Sequence, residues 1–242
     1  MKALPHRSSN YFETVCCAGI GHDRKWRRLY PVPFRILNDA QKFGRWNWIS
    51  YRYTDPAVDG RWESQKVVPE SIAVGSAMRA AERSRLACAL TRESVKDAEA
   101  NGESLTLIKP MEVTFSWKRK DEGELENERR KHAELARQIS MFDAEAKPLN
   151  PCPFEFFFKW KSEAGSTHNH TCDDWETSAA FYNRRRAHGE EGGLQSLKQT
   201  YEEEYLAKGM RFALGTHSRR ETQWLMVGVL RVDDQTQTEL GL

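Results

Sequence analysis

The chain has 242 residues, 39% hydrophobic and 30% charged, with 8 Trp, 11 Phe and a formal net charge of +2. That length supports one large domain or two small ones with a proper core, and so small a net charge excludes any argument for nucleic acid from total charge alone. No run of about eighteen apolar residues occurs, so no membrane span is expected, and the N-terminal MKALPHRSSNYFE lacks the apolar centre of a secretion signal.

The distribution of charge says more than its sum. Residues 1–60 hold ten Lys/Arg against five Asp/Glu, which suits a basic face on a near-neutral body. The five cysteines, Cys16, Cys17, Cys88, Cys152 and Cys172, are odd in number and irregularly spaced. They fit reduced thiols in a cytoplasmic protein better than a disulfide framework.

Taken in chain order, FETVCCAGI (Phe12–Ile20) reads as a β-strand and WRRLY (Trp26–Tyr30) as its hairpin partner across the turn His22–Lys25. Trp26, Arg28 and Tyr30 share one side of the second strand, Arg27 and Leu29 the other. Pro31 and Pro33 argue against its simple continuation. The spacing of Ile36, Ala40 and Phe43 predicts a helix within Arg35–Trp46, started near Asn38 or Asp39. WNWISYRY (Trp46–Tyr53) alternates cleanly and predicts a strand. Asp55–Pro69 reads as a loop, and the alanine-rich stretch beyond it as a helix over Ile72–Ala87 entered through Pro69–Ser71.

A short helix over Glu93–Ala100 and strands over Ser104–Lys109 and Val113–Arg119 follow. The highly charged Asp121–Ala146, with apolar Leu125, Leu135, Ile139 and Phe142, predicts a helix that connects two lobes. FEFFFKW (Phe154–Trp160) is a strand and Ser162–Asp173 a polar loop. Helices are expected over Asp174–His188 and Leu194–Lys208. A closing hairpin pairs Met210–Leu214 with Gln223–Val232, whose WLMVGVL reads as a central, doubly covered strand.

Four groups of residues carry chemistry. In the N-terminal part, basic residues interleave with aromatics: Arg27, Arg28, Arg35 and Arg52 with Trp26, Tyr30, Trp48 and Trp62, joined by Tyr51 and Tyr53. Cations neutralise phosphates and aromatic faces stack bases, although half the aromatics on each strand must face the core. The closing turn GTHSRR adds His217, a candidate general base, and Arg219 and Arg220, a candidate phosphate grip.

In HNHTC, His168, His170 and Cys172 lie two apart and converge if the segment is extended; Cys152 would complete a zinc-like set of four. The spacing is not a standard zinc pattern, nor that of an HNH nuclease. The adjoining DWE offers Asp174 and Glu176 as paired carboxylates for Mg²⁺-dependent phosphodiester cleavage, against the simpler role of helix initiation. Glu155, Lys159 and Lys161 do not supply the accompanying ExK spacing. Signatures of P-loop NTPases, Rossmann dehydrogenases, α/β-hydrolases and zincins are absent.

Three stretches together, ETVCCAGI with RRLYPVPFR, FFFKW…H…DWE, and FALGTH…WLMVGVL, resemble a group of uncharacterised bacterial proteins of about this length associated with mobile elements or phage defence. The resemblance implies a cysteine-bearing loop before the histidine of the middle segment; here that loop is SEAGSTH, without cysteine before His168, which weakens a metal site. In element order the chain is also similar to PUA-like and OB-like modules with a basic cleft, a likeness of fold only.

The expectation is therefore an α+β protein. Two mixed β-rich lobes, small barrel-like sheets flanked by helices, lie at residues 1–120 and 148–242 and are joined by the charged helix 121–147. The expected function is nucleic-acid binding, to DNA or RNA, as an accessory component of a bacterial defence or mobile-element system. One alternative is a nuclease using Zn or Mg at the HNHTCDDWE segment. Another is an interaction subunit that docks protein partners through 121–146.

Overall fold

The computed structural model describes residues 1–8, 12–57, 59–140, 149–218 and 220–233. In chain order these form β1 (His6–Ser8), β2 (Phe12–Ile20), β3 (Trp26–Val32), a 3₁₀ turn (Asp39–Gln41), β4 (Asn47–Thr54), β5 (Ser64–Ala77), α1 (Ala80–Ala89), β6 (Thr91–Arg92), α2 (Val95–Ala100), β7 (Leu105–Ile108) and β8 (Pro110–Arg119). Then come α3 (Glu122–Ser140), β9 (Phe154–Ser162), β10 (Thr167–Thr171), α4 (Trp175–Gln199), a π-helical turn (Thr200–Tyr205), α5 (Leu206–Lys208), β11 (Met210–His217) and β12 (Arg220–Arg231). The fold is α+β, as expected. Its sheets are open among the described residues, so the barrel-like closure is not found.

Two compact units result, and each is built from two stretches of chain. Unit 1 comprises Met1–Ala77 and Lys118–Glu155, unit 2 Met78–Trp117 and Phe156–Leu242. This interleaved division differs from the serial lobes read from composition. The charged helix α3 falls inside unit 1.

Unit 1 is a five-stranded sheet in the order β1-β2-β3-β5-β4, antiparallel except where β3 runs parallel to β5. The β2–β3 hairpin forms as its sequence suggests, with Ile20 opposite Trp26 and the turn closed by Gly21 and Lys25. Val15, Cys17, Trp26, Leu29, Val32, Val67 and Ile72 make the core, and Leu125 of α3 is buried as well. α3 lies against β2.

Of two helices expected here, one is reduced to a single turn, and the other forms only in its second half, as α1 from Ala80. Within Arg35–Trp46 only Asp39–Gln41 turns helically, capped by the Asn38 side chain. The stretch read as Ile72–Ala87 helix is strand as far as Ala77. Its Val67, Val68, Ile72 and Val74 favour extended backbone, and Gly75 lies under the Trp48 carbonyl, 3.2 Å from where a Cβ would stand. Pro69 sits in the register jump between Arg52↔Val68 and Ser50↔Ala73, where no ladder donor is needed.

Unit 2 holds a sheet in the order β10-β9-β8 and another in the order β12-β11-β7-β6. β9 alternates as its sequence predicts: Phe156, Phe158 and Trp160 are buried while Lys159 is exposed. Phe158 meets Phe115, Tyr201 and Phe212 at ring-centre distances of 5.0–5.3 Å. These tilted and edge-on pairs supply both area and geometry. β11 is the covered strand, with Met210 to Thr216 all buried. WLMVGVL of β12 comes last in the order of its sheet's strands, and Met226 within it also bridges Cys172.

α4 bends sharply at Gly189, whose φ of 71° suits glycine. The two limbs approach closely enough that a Cβ on Gly193 would stand 3.0 Å from the Arg185 amide nitrogen. Arg184 reaches across to the Ser196 and Thr200 hydroxyls. The two helices expected around HGEEGG are thus present as one bent element.

Candidate nucleic-acid interface

The basic-aromatic residues of unit 1 divide by burial. Trp26 is 3% exposed and belongs to the core, so its face is closed to a ligand. Arg28, on the same side of β3, is also inside: its Nε donates to Glu63 Oε1 at 2.8 Å, with both side chains at most 7% exposed. Burial lowers its pKa from the usual arginine value, with Arg61 acting in the same sense and Glu63 opposing. Arg28 and Trp26 are therefore removed from the expected phosphate and stacking sets. A buried charge needs its partner, and Glu63 is that partner.

The neighbouring turn is bound by charge as well. Arg61 grips Asp59 through Nε and Nη2, and the Ser64 hydroxyl donates to the same carboxylate. Although burial opposes it, the Asp59 pKa stays below the usual carboxylate value because of these bonds. The turn carries Trp62 outward, 56% exposed.

On the β2–β3 turn, Arg27 bridges Asp23 at 2.6 Å and is half-buried, as are Tyr30 and Arg35. Trp48 of β4 is covered: the His22 imidazole lies flat on it, ring centres 4.0 Å apart and planes within 3°. Its stacking face is already occupied, so Trp48 leaves the expected set too.

What remains open is the far end of β4. Arg52, Tyr53 and Thr54 are exposed, with Tyr53 at 51%. Tyr53 pairs across the ladder with Val67 and Thr54 with Lys66, itself exposed. Tyr51 lies beside Tyr53, ring centres 6.2 Å apart, and its hydroxyl is fixed to Gln65 Oε1 at 2.5 Å. Burial pushes the Tyr51 phenol up to about 12, against the nearby Arg27 charge, so it stays neutral. β4 is the terminal strand of its sheet. Of the four stackers first proposed, Trp62 survives as an exposed ring. Tyr53, which the alternation of WNWISYRY sets with Tyr51 opposite Trp48, is the other exposed ring.

In unit 2, HNHTC is mostly strand rather than loop. β10 pairs with β9 so that His168 lies opposite Trp160 and His170 opposite Phe158. Both imidazoles stack with the Trp160 indole, at 4.2 and 5.9 Å, and the Trp160 indole N–H donates to His170 Nδ1 at 3.1 Å. Burial drives the His170 pKa down to about 4, with His168 adding to the effect, and burial lowers that of His168 as well. The two rings serve as a packing stack.

Cys172 is buried and its thiol faces the Thr177 hydroxyl at 3.6 Å, which in turn bonds the Tyr201 phenol at 3.0 Å. Burial pushes the Cys172 thiol up to about 12, whereas zinc takes thiolate. Cys152 lies in the unit 1 stretch before β9. Among the described residues no group of three or more His, Cys, Asp or Glu is placed to hold a metal ion. The zinc set His168, His170, Cys172 and Cys152 does not assemble.

Asp174 is 1% exposed. Its Oδ1 accepts the Glu176 amide as the cap of α4, and its Oδ2 accepts the Val229 amide of β12 at 3.0 Å. Both oxygens serve the fold, so the Asp174/Glu176 pair does not fit Mg²⁺; Glu176 is half-buried in the first turn of α4. At the closing hairpin, His217 is half-buried and Arg220 exposed. Arg219 lies outside the described residues, as do 141–146 of the expected partner helix.

No helix among the described residues is long and apolar enough to cross a membrane. A family model described as "Domain of unknown function (DUF8758)" matches residues 1–91, and one described as "Domain of unknown function (DUF8757)" matches residues 83–241. No curated protein and no solved structure matches the chain.

Proposed function

We propose that this chain, which belongs to the DUF8757 family, is a nucleic-acid-binding protein whose ligand lies on the exposed end of β4 and β5 in unit 1. The observation that carries the reading is a pair of aromatic rings, Tyr53 and Trp62, each more than half exposed in a unit with excess positive charge. Unit 1 holds 20 Lys/Arg against 16 Asp/Glu, whereas unit 2 holds 17 against 19. Burying a large aromatic side chain is worth about 1.5–3 kcal/mol, and the fold leaves that gain unused at both rings. Nucleic acid supplies what they lack, flat apolar base faces, and its phosphates suit the positive excess of unit 1.

Cytoplasmic location and an accessory role in a mobile-element or defence system belong to the same proposal. They rest on the sequence alone. No geometry favours the nuclease reading, since Asp174 serves as a helix cap.

The test is fluorescence anisotropy with labelled single-stranded RNA, single-stranded DNA and duplex at low salt. Saturable binding to at least one, weakened by Tyr53→Ala or Trp62→Ala, is expected. No saturation with any of them at protein concentrations of about 100 μM, the weak end of non-specific affinity, would overturn the proposal.

A further inference from the structure

We infer that Asp59 is the positioning residue of this site: it fixes the turn that displays Trp62, so that the ring stands ready before the ligand arrives. Trp62 is one of the two rings of the nucleic-acid reading above, and the role of Asp59 rests on that reading.

Trp62 sits at the tip of a turn. The Ser64 amide donates to the Arg61 carbonyl at 2.9 Å, which closes residues 61–64 with Trp62 and Glu63 in the middle. Surface turns of this kind ordinarily move. A large ring on a moving turn folds back onto whatever apolar surface is near. Trp62 instead stays 56% exposed.

One carboxylate holds both ends of the turn. Asp59 Oδ1 accepts from Arg61 Nε at 2.8 Å and from the Arg61 amide at 3.3 Å. Its Oδ2 accepts from Arg61 Nη2 at 2.6 Å and from the Ser64 hydroxyl at 2.9 Å. The two-pronged pair with arginine fixes direction as well as distance. Glu63 is tied separately: its carbonyl accepts the Arg28 amide at 2.8 Å, and its carboxylate is buried against Arg28. Arg61, Glu63 and Ser64 are thus each held, and Trp62 is the exposed member of the turn.

Ion pairs open to water contribute little to stability. The Asp59 side chain is 29% exposed, and what its bonds secure is the geometry of the turn. A ring fixed beforehand loses less freedom on binding, and a binding residue carried on a loop needs support of this kind.

The experiment compares the native chain, Asp59→Ala, Trp62→Ala and the double variant. Binding to labelled single-stranded RNA, single-stranded DNA and duplex is read by fluorescence anisotropy at low salt. NMR relaxation gives the order parameter of the Trp62 backbone amide. Trp62→Ala should weaken binding about fivefold or more, the loss of one stacked base. Asp59→Ala should weaken it by about two- to tenfold, the cost of fixing one side chain on binding. Removing a negative charge would by itself tighten binding to phosphates, so a loss here cannot come from charge. The double variant should bind no more weakly than Trp62→Ala, because Asp59 acts through that ring. The amide order parameter should drop from about 0.85 to below about 0.6 in Asp59→Ala. Thermal melting checks that each variant folds; Asp59→Asn, which keeps one acceptor, takes the place of Asp59→Ala if that variant does not. Native-like binding by Asp59→Ala, losses that add in the double variant, or an unchanged order parameter would overturn the role of Asp59 while nucleic-acid binding itself stands. Binding of no probe by the native chain would overturn both.

Discussion

At the scale of single residues, the decisive question is which charged groups face water. Arg28 and Arg52 look alike in sequence, yet Arg28 is closed in with Glu63 and Arg52 is exposed. Arg28→Met should therefore destabilise unit 1 by about 3–5 kcal/mol, the cost of leaving a buried charge without its partner. Arg52→Ala should change stability by no more than about 0.5 kcal/mol and act on ligand affinity instead. Urea denaturation read against anisotropy separates the two effects.

Asp174→Ala should remove a helix cap and an acceptor of a buried amide together. A loss of roughly 2–4 kcal/mol is expected, with Asp174→Asn milder because it keeps one acceptor. Stability unchanged in both variants would show that the capping account is wrong.

His170 gives a pH dependence with a definite sign. Its folded pKa of about 4 lies below the unfolded value of about 6.5. Between those values the unfolded chain binds the proton and the folded chain does not. Stability is therefore full above about pH 6.5 and falls as pH drops toward 4. His170→Asn, which keeps an acceptor for the Trp160 indole, should flatten the slope of unfolding free energy across that window. An unchanged slope would move the acid sensitivity to other groups.

At the scale of elements, local pattern was legible where it sufficed and misleading where distant partners decided. The β2–β3 hairpin, β9, the two limbs of α4 and the closing hairpin all follow from alternation, turn residues and the glycine cluster at 189–193. The alternation of β3 was legible too, with Trp26 and Arg28 on one side. That this side faces inward depends on Glu63, 35 residues further on, and no local pattern carries that information. The β5 segment was misread because alanines and an entering proline imitate a helix start. The β-branched residues among them, and the need for Gly75 beneath Trp48, decide for strand. Likewise HNHTC has metal-ligand letters, but Trp160 on the paired strand turns its two histidines into a stack.

Gly193 tests the bend in α4. Alanine there would gain about 1 kcal/mol of helix propensity, but its Cβ would meet three backbone atoms of Arg184 and Arg185 within 3.0–3.3 Å. Backbone cannot yield as a side-chain tip can. Gly193→Ala should therefore lower the melting temperature, in keeping with an overpacking cost of about 1–3 kcal/mol. A rise would mean that the limbs are further apart than described.

At the scale of the whole molecule, two units of opposite charge balance share one chain that passes between them more than once. Their sum, +2, conceals the basic one. Composition signalled the N-terminal excess, but it could not assign the charged helix α3 to unit 1, because that depends on Leu125 being buried there. Nor could it rank the aromatics by exposure, on which the binding proposal depends.

The most direct test of that proposal is the dependence of binding on salt. Log K for a labelled single strand should fall linearly with log salt, with a slope of about −0.7 for each phosphate neutralised. Arg52→Ala should make the slope shallower by about 0.7, one phosphate contact on a single strand. A flat slope for the native chain, or a slope that Arg52→Ala leaves unchanged, would contradict phosphate binding at β4.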